Sequence, residues 1–119
     1  MSSLEKLEKF GNEVDGVLVI ADLPFPSPEE LELSDEKRRE LESTYFRSYG
    51  RLWRLGLPIH KFRDLLGVIV PRERIDEAEQ AIREIREEYE KLNLSLRPKL
   101  ILIRLSKEES DGLVSLVTG

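Results

Sequence analysis

"VIVPRERIDEAEQAIREIREEYEKLN", residues 68–93, joins the two patterns from which the fold can be read. Val68, Ile69 and Val70 form a short apolar run closed by Pro71, the pattern of a buried strand. From residue 72 onward, Ile75, Ala78, Ile82, Ile85, Tyr89 and Leu92 recur at alternating spacings of three and four. At about 3.6 residues per turn these positions share one stripe, so 72–93 is an amphipathic helix. A stripe of this kind is expected to lie on a sheet, although three heptads of it would also suit a coiled-coil seam between subunits.

Working outward, "VDGVLVIADLPF" carries a continuous apolar run at Val17 to Ala21, bounded by Gly16 and Pro24, which reads as a second buried strand. "KLILIRLS", 99–106, reads as a third, and "LVSLV", 113–117, as a fourth, joined to it as a hairpin through "KEESDG". A long helix precedes Gly56 and Pro58 and ends near Leu55. Its start is ambiguous between Ser27–Pro28–Glu30 and Ser34–Asp35–Glu36, both of which carry N-terminal capping signals. A short helix from Pro58 to Leu66, with Ile59, Phe62 and Leu66 on one side, and an N-terminal one from Ser2 to Phe10 complete the expected order, α-β-α-α-β-α-β-β. That order implies an α+β fold with a single four-stranded, mainly antiparallel sheet and helices packed mainly on one face.

At 119 residues the chain suits one domain with one hydrophobic core. It has no cysteine, which excludes disulfides, thiolate metal sites and cysteine nucleophiles and accords with a cytoplasmic location. No apolar run reaches the roughly 18 residues of a membrane span. Amides are confined to Asn12, Asn93 and Gln80 among many Glu, Lys and Arg residues, a composition that points to a thermophilic source.

The formal net charge of -5 conceals a strong asymmetry. "YFRSYGRLWRLGLPIHKFR", 45–63, holds Arg47, Arg51, Arg54, Lys61 and Arg63 among aromatic residues and contains no acid. Residues 91–107 hold Lys91, Arg97, Lys99, Arg104 and Lys107, again without an acid. On a helical wheel Leu41, Leu52 and Leu55 mark the core direction, and Tyr45, Phe46, Tyr49 and Trp53 continue past its edge. The apolar arc then covers about 180°, against the roughly 100° that one core requires, so some of these rings should be exposed. Exposed rings flanked by cations suit single-stranded nucleic acid, whose bases stack while the phosphates are neutralised. Gly50 and Gly56 would allow close approach of a ligand or of another backbone. The competing reading is a noncatalytic protein-interaction module that uses the aromatic arc or the 72–93 stripe.

Enzymatic readings have less support. His60 is the only histidine, and no nucleophile elbow or phosphate-binding glycine motif occurs. Asp22, with Asp64, Asp76 or Asp111, would serve a metal-dependent nuclease, but the pattern is unspecific. No catalysis, metal or cofactor is expected.

The 45–63 segment, with the element order and composition, resembles the ThermoDBP-type single-stranded DNA-binding proteins of thermophilic archaea over residues 10–117. The resemblance implies a sheet-and-helix domain with an apolar and aromatic cleft rimmed by bases, which protects single strands in replication or repair. Carried onto this sequence it gives Tyr49, Trp53 and Phe62 as stacking surfaces and Arg47, Arg51, Arg54, Lys61 and Arg63 as phosphate contacts. His60 lies beside them, and Arg97 and Lys99 are expected to border the same surface. Single-stranded DNA is the expected partner, with nothing selecting it over RNA. Some members of that group dimerise through a C-terminal leucine zipper, a route not expected here; a homodimer is among the partners considered, with no route assigned to it.

Overall fold

The computed structural model describes residues 14–25, 32–62 and 65–118, the side chains of 60–62 excepted. Four strands form one sheet: β1 (Gly16–Asp22), β2 (Leu57–Phe62), β3 (Leu65–Pro71) and β4 (Lys99–Leu105). Three helices join them: α1 (Asp35–Trp53), α2 (Ile75–Lys91) and α3 (Lys107–Thr118). The strand order is β2-β3-β1-β4 with every pair antiparallel, so the fold is α+β as expected. The succession β-α-β-β-α-β in this strand order is the split-βαβ, or ferredoxin-like, arrangement, followed here by α3.

β1 is central because both its faces are apolar. Val17, Val19 and Ala21 are buried against the helices, aligned with Val70, Val68 and Leu66 of β3. The 72–93 stripe turns inward onto the same core: Ile75, Ala78, Ile82, Ile85, Tyr89 and Leu92 are all buried there, so no coiled-coil seam remains on that face. α1 adds Leu41 and Leu52. Each fully buried leucine contributes about 2–3 kcal/mol relative to its exposed state. Asn93, at a φ of 57°, adopts the left-handed conformation that closes α2.

The other sheet face carries Leu18, Ile20, Ile69, Ile101 and Ile103 by strand alternation. Ile69 is buried yet stands outside the main core, and α3 touches β1, β3 and β4 without contributing to that core. α3 therefore lies on this second face. With cover on both sides, β1 and β3 read as continuous apolar runs instead of alternating ones.

Two expected elements are corrected. Residues 58–62 and 65–66 form no helix; they belong to β2 and β3, and 63–64 lie outside the described residues. Gly56 brings the chain so close to β3 that a Cβ there would collide with the Ile69 carbonyl, which sets up pairing of Leu57 with Ile69. Pro58 is tolerated because β2 is an edge strand. Residues 113–117 form no strand; they are helical in α3. Ser106 and Glu109 make a reciprocal capping box: Glu109 N–H donates to Ser106 Oγ at 3.2 Å, and Ser106 N–H to Glu109 Oε1 at 2.9 Å. The Ser106 backbone N–H, together with the Ser106 hydroxyl, holds the Glu109 carboxyl below its usual range. Of the two candidate starts of the long helix, Ser34 caps α1 by accepting from Lys37 N–H at 3.1 Å, while Ser27–Glu30 and the Ser2–Phe10 helix lie outside the described residues.

Candidate nucleic-acid interface

Ser34 caps α1, and Leu41, Thr44, Ser48 and Leu52 form its buried face. α2 packs along one flank of this face and the aromatic residues occupy the other. Tyr45 and Tyr49 are half-buried against the core, whereas Phe46 is 65% and Trp53 37% exposed. The apolar arc thus extends past the core edge, as its width on the helical wheel requires.

The rings touch in an unbroken row. Tyr45 lies 5.3 Å from Phe46 edge-on and 6.1 Å from Tyr49, and Tyr49 stacks on Trp53 at 5.5 Å. Spacing of one helical turn brings these rings together, and the eight residue steps from Tyr45 to Trp53 rise about 12 Å. Phe25 completes the row from the segment after β1, 4.9 Å from Tyr45 and 6.3 Å from Phe46, and is 47% exposed. Its place is secured from below: the Tyr89 hydroxyl donates to the Pro24 carbonyl at 3.1 Å. Sequence reasoning missed Phe25, whose one signal was a large ring set between Pro24 and Pro26 in the sequence.

The cations divide differently from expectation. Arg47 Nε lies 3.2 Å from Glu88 Oε1, and Arg51 Nη1 lies 2.6 Å from Glu88 Oε2 with Glu84 beyond it. Both arginines therefore neutralise carboxylates of α2, on the flank away from the aromatic row. Beside them, Glu36, Arg39, Glu40, Ser43, Arg47, Glu88 and Lys91 line an open groove of about 550 Å³ whose charges alternate in sign. Arg54 is exposed, and its guanidinium lies over Gly50, one turn along from the Trp53 end of the row. Among the described residues Arg54 has no acidic partner. Its carbonyl accepts from Arg74 Nη1 at 2.6 Å, which anchors the end of α1 to the turn before α2.

His60, Lys61 and Phe62 lie on β2, with side chains outside the described set, and Arg63 lies outside the described residues. Arg97 Nη1 donates to the carbonyls of Leu94 and Leu96 at 2.6 and 2.8 Å, closing the loop after α2. Lys99 opens β4, the sheet edge opposite β2, about 14 Å away across three strand spacings. The structure therefore brings Tyr49, Trp53 and Arg54 together with Phe25, Tyr45 and Phe46, and sets Arg97 and Lys99 apart from the β2 edge.

Among the described residues no three histidine, aspartate or glutamate side chains are grouped as a metal ion would require. Asp22 and Asp76 follow opposite ends of the sheet, since Asp22 pairs with Leu65 whereas Pro71, just before α2, pairs with Gly16. No described helix is long and apolar enough to cross a membrane. Comparison with known protein families, with curated proteins and with solved structures gives no match for this chain.

Proposed function

We propose that the chain binds single-stranded nucleic acid, with single-stranded DNA as the expected ligand, along the aromatic flank of α1. The observation that carries this reading is the row of touching rings from Phe25 and Phe46 to Trp53, exposed at both ends. Every base has a face that can stack, so such a row binds without sequence preference, at about 1 to 3 kcal/mol per stacked base. Arg54 supplies a cation at the Trp53 end, and Lys61 and Arg63 are the further phosphate contacts in this proposal. Arg47 and Arg51 are reassigned to holding α2. Protection of single strands in replication or repair, in the cytoplasm and without catalysis, is the role that fits; the amide-poor composition supports a thermophilic, archaeal source.

Trp53 is the only tryptophan, so its fluorescence reports on this flank alone. Single-stranded and duplex oligonucleotides are titrated at two salt concentrations. Quenching by single strands, weakened steeply by salt and small with duplex, is the expected result. Absence of both quenching and a mobility shift at low salt would overturn it. The noncatalytic protein-interaction module would then take its place, since the exposed rings of Phe25 and Phe46 also suit a protein surface.

A further inference from the structure

The two edges of the sheet are built differently. β2 carries Pro58 and a register shift between Ile59 and Phe62, two features that blunt an edge against further pairing. β4 has neither. Its seven residues, KLILIRL, pair with β1 in unbroken register from Lys99 to Leu105. On its other side the outward N–H and C=O groups meet no strand among the described residues. Ile101 and Ile103, on the face that carries α3, are 55% and 41% exposed.

The β4 sequence is complementary to itself. Antiparallel pairing with a second copy, centred on Leu102, places Ile101 opposite Ile103 of the other chain twice over. The same register places Arg104 opposite Leu100 and Lys99 opposite Leu105, so no two like charges meet within the seven paired residues of β4. Slipping by two residues is the smallest shift that keeps both sheet faces matched. In one direction it brings Pro98 opposite Arg104, and in the other Lys99 opposite Lys107. The Leu102-centred register is thus the one that uses all seven residues without a proline or a charge clash.

We infer that β4 is a homodimer interface, in which two copies pair edge to edge about Leu102 to give one continuous sheet. The four isoleucines of the two copies form an apolar cluster on the α3 face. The aromatic row stands on α1, a different element, so this inference is independent of the nucleic-acid reading.

Light scattering and sedimentation of the full chain are expected to give twice the 13.8 kDa chain mass. Ile101→Lys and Ile103→Glu should each raise the dimer dissociation constant at least about tenfold, since both symmetric isoleucine pairs are lost at once. The double variant Ile101→Lys/Ile103→Glu should restore the dimer, because each lysine then faces a glutamate. Circular dichroism verifies that each variant is folded. A monomeric wild type, a dimer indifferent to Ile101→Lys, or a folded double variant that stays monomeric would each overturn the inference.

Discussion

Tyr49 and Trp53, one helical turn apart on α1, stack with ring centroids 5.5 Å apart and planes inclined by 23°. This contact holds the indole partly out of solvent and makes it the ordered end of the aromatic row. Phe46 occupies the other end and is the more exposed ring. Phe46→Ala should therefore weaken binding of single strands by about 5- to 150-fold, the equivalent of one lost stacking contact. Its stability in urea should change by no more than about 0.5 kcal/mol. Trp53→Ala should weaken binding similarly but also lose about 1 kcal/mol of stability with the Tyr49 stack. Unchanged oligonucleotide affinity in Phe46→Ala would remove that ring from the site.

The ion pairs of α1 separate arginines that sequence alone treats as equivalent. Arg54 is expected to meet phosphate, so Arg54→Ala should reduce the slope of log affinity against log salt by about one. Arg51 is engaged with Glu88, so Arg51→Ala should leave that slope unchanged while lowering stability by up to about 1 kcal/mol. Equal slopes for the two variants would show that Arg51 leaves Glu88 to reach the ligand.

The stripe at Ile75, Ala78, Ile82, Ile85, Tyr89 and Leu92 was legible because the spacing on one helix determines which residues share a face, whatever that face meets. The excess width of the α1 apolar arc was legible for the same reason. Leu57–Phe62 was not, since Ile59, Phe62 and Leu66 happen to fit helical spacing, and pairing with β3 decides the matter. α3 was missed because Asp111–Gly112 reads as a turn, although the capping box at Ser106 and Glu109 was present in the sequence. The Arg51–Glu88 bond joins residues 37 apart and depends on how the helices are laid together, which local pattern does not encode. The same is true of Phe25, which reaches the row only after the chain has returned over the sheet.

Tyr89 links core, site and pH. Its ring is fully buried, and burial chiefly, with the nearby Tyr45 and Asp22 charges, pushes its phenol well above the ordinary tyrosine range. The unfolded chain releases this proton near pH 10 whereas the folded chain retains it. The native state then binds more protons, so stability is complete below about pH 10 and falls as pH rises above it. Tyr89→Phe should lack this alkaline loss from residue 89, a difference that urea denaturation at pH 8 and pH 11 would reveal. At neutral pH the same variant should cost about 1 to 3 kcal/mol, because the Pro24 carbonyl loses its donor. Phe25 would lose its anchor too, and the oligonucleotide affinity should drop with it.

Gly50 and Gly56 look alike in sequence and should respond oppositely to alanine. Gly50 lies within α1, and a Cβ there would stand 3.5 Å from Arg54 Nη2, an ordinary contact with the end of a flexible side chain. Gly50→Ala should therefore stabilise the protein by about 0.5–1 kcal/mol through the higher helix propensity of alanine. At Gly56 the added carbon would run into the Ile69 carbonyl oxygen, which belongs to backbone and cannot swing aside. Relief of that collision must move Leu57 away from its partner Ile69 and loosen the β2 edge, a cost of about 1–3 kcal/mol. Chemical denaturation of the two single variants should show a rise for one and a fall for the other. A neutral Gly56→Ala would mean that the α1–β2 turn does not approach β3 this closely in solution, and that the hairpin is held by strand pairing alone.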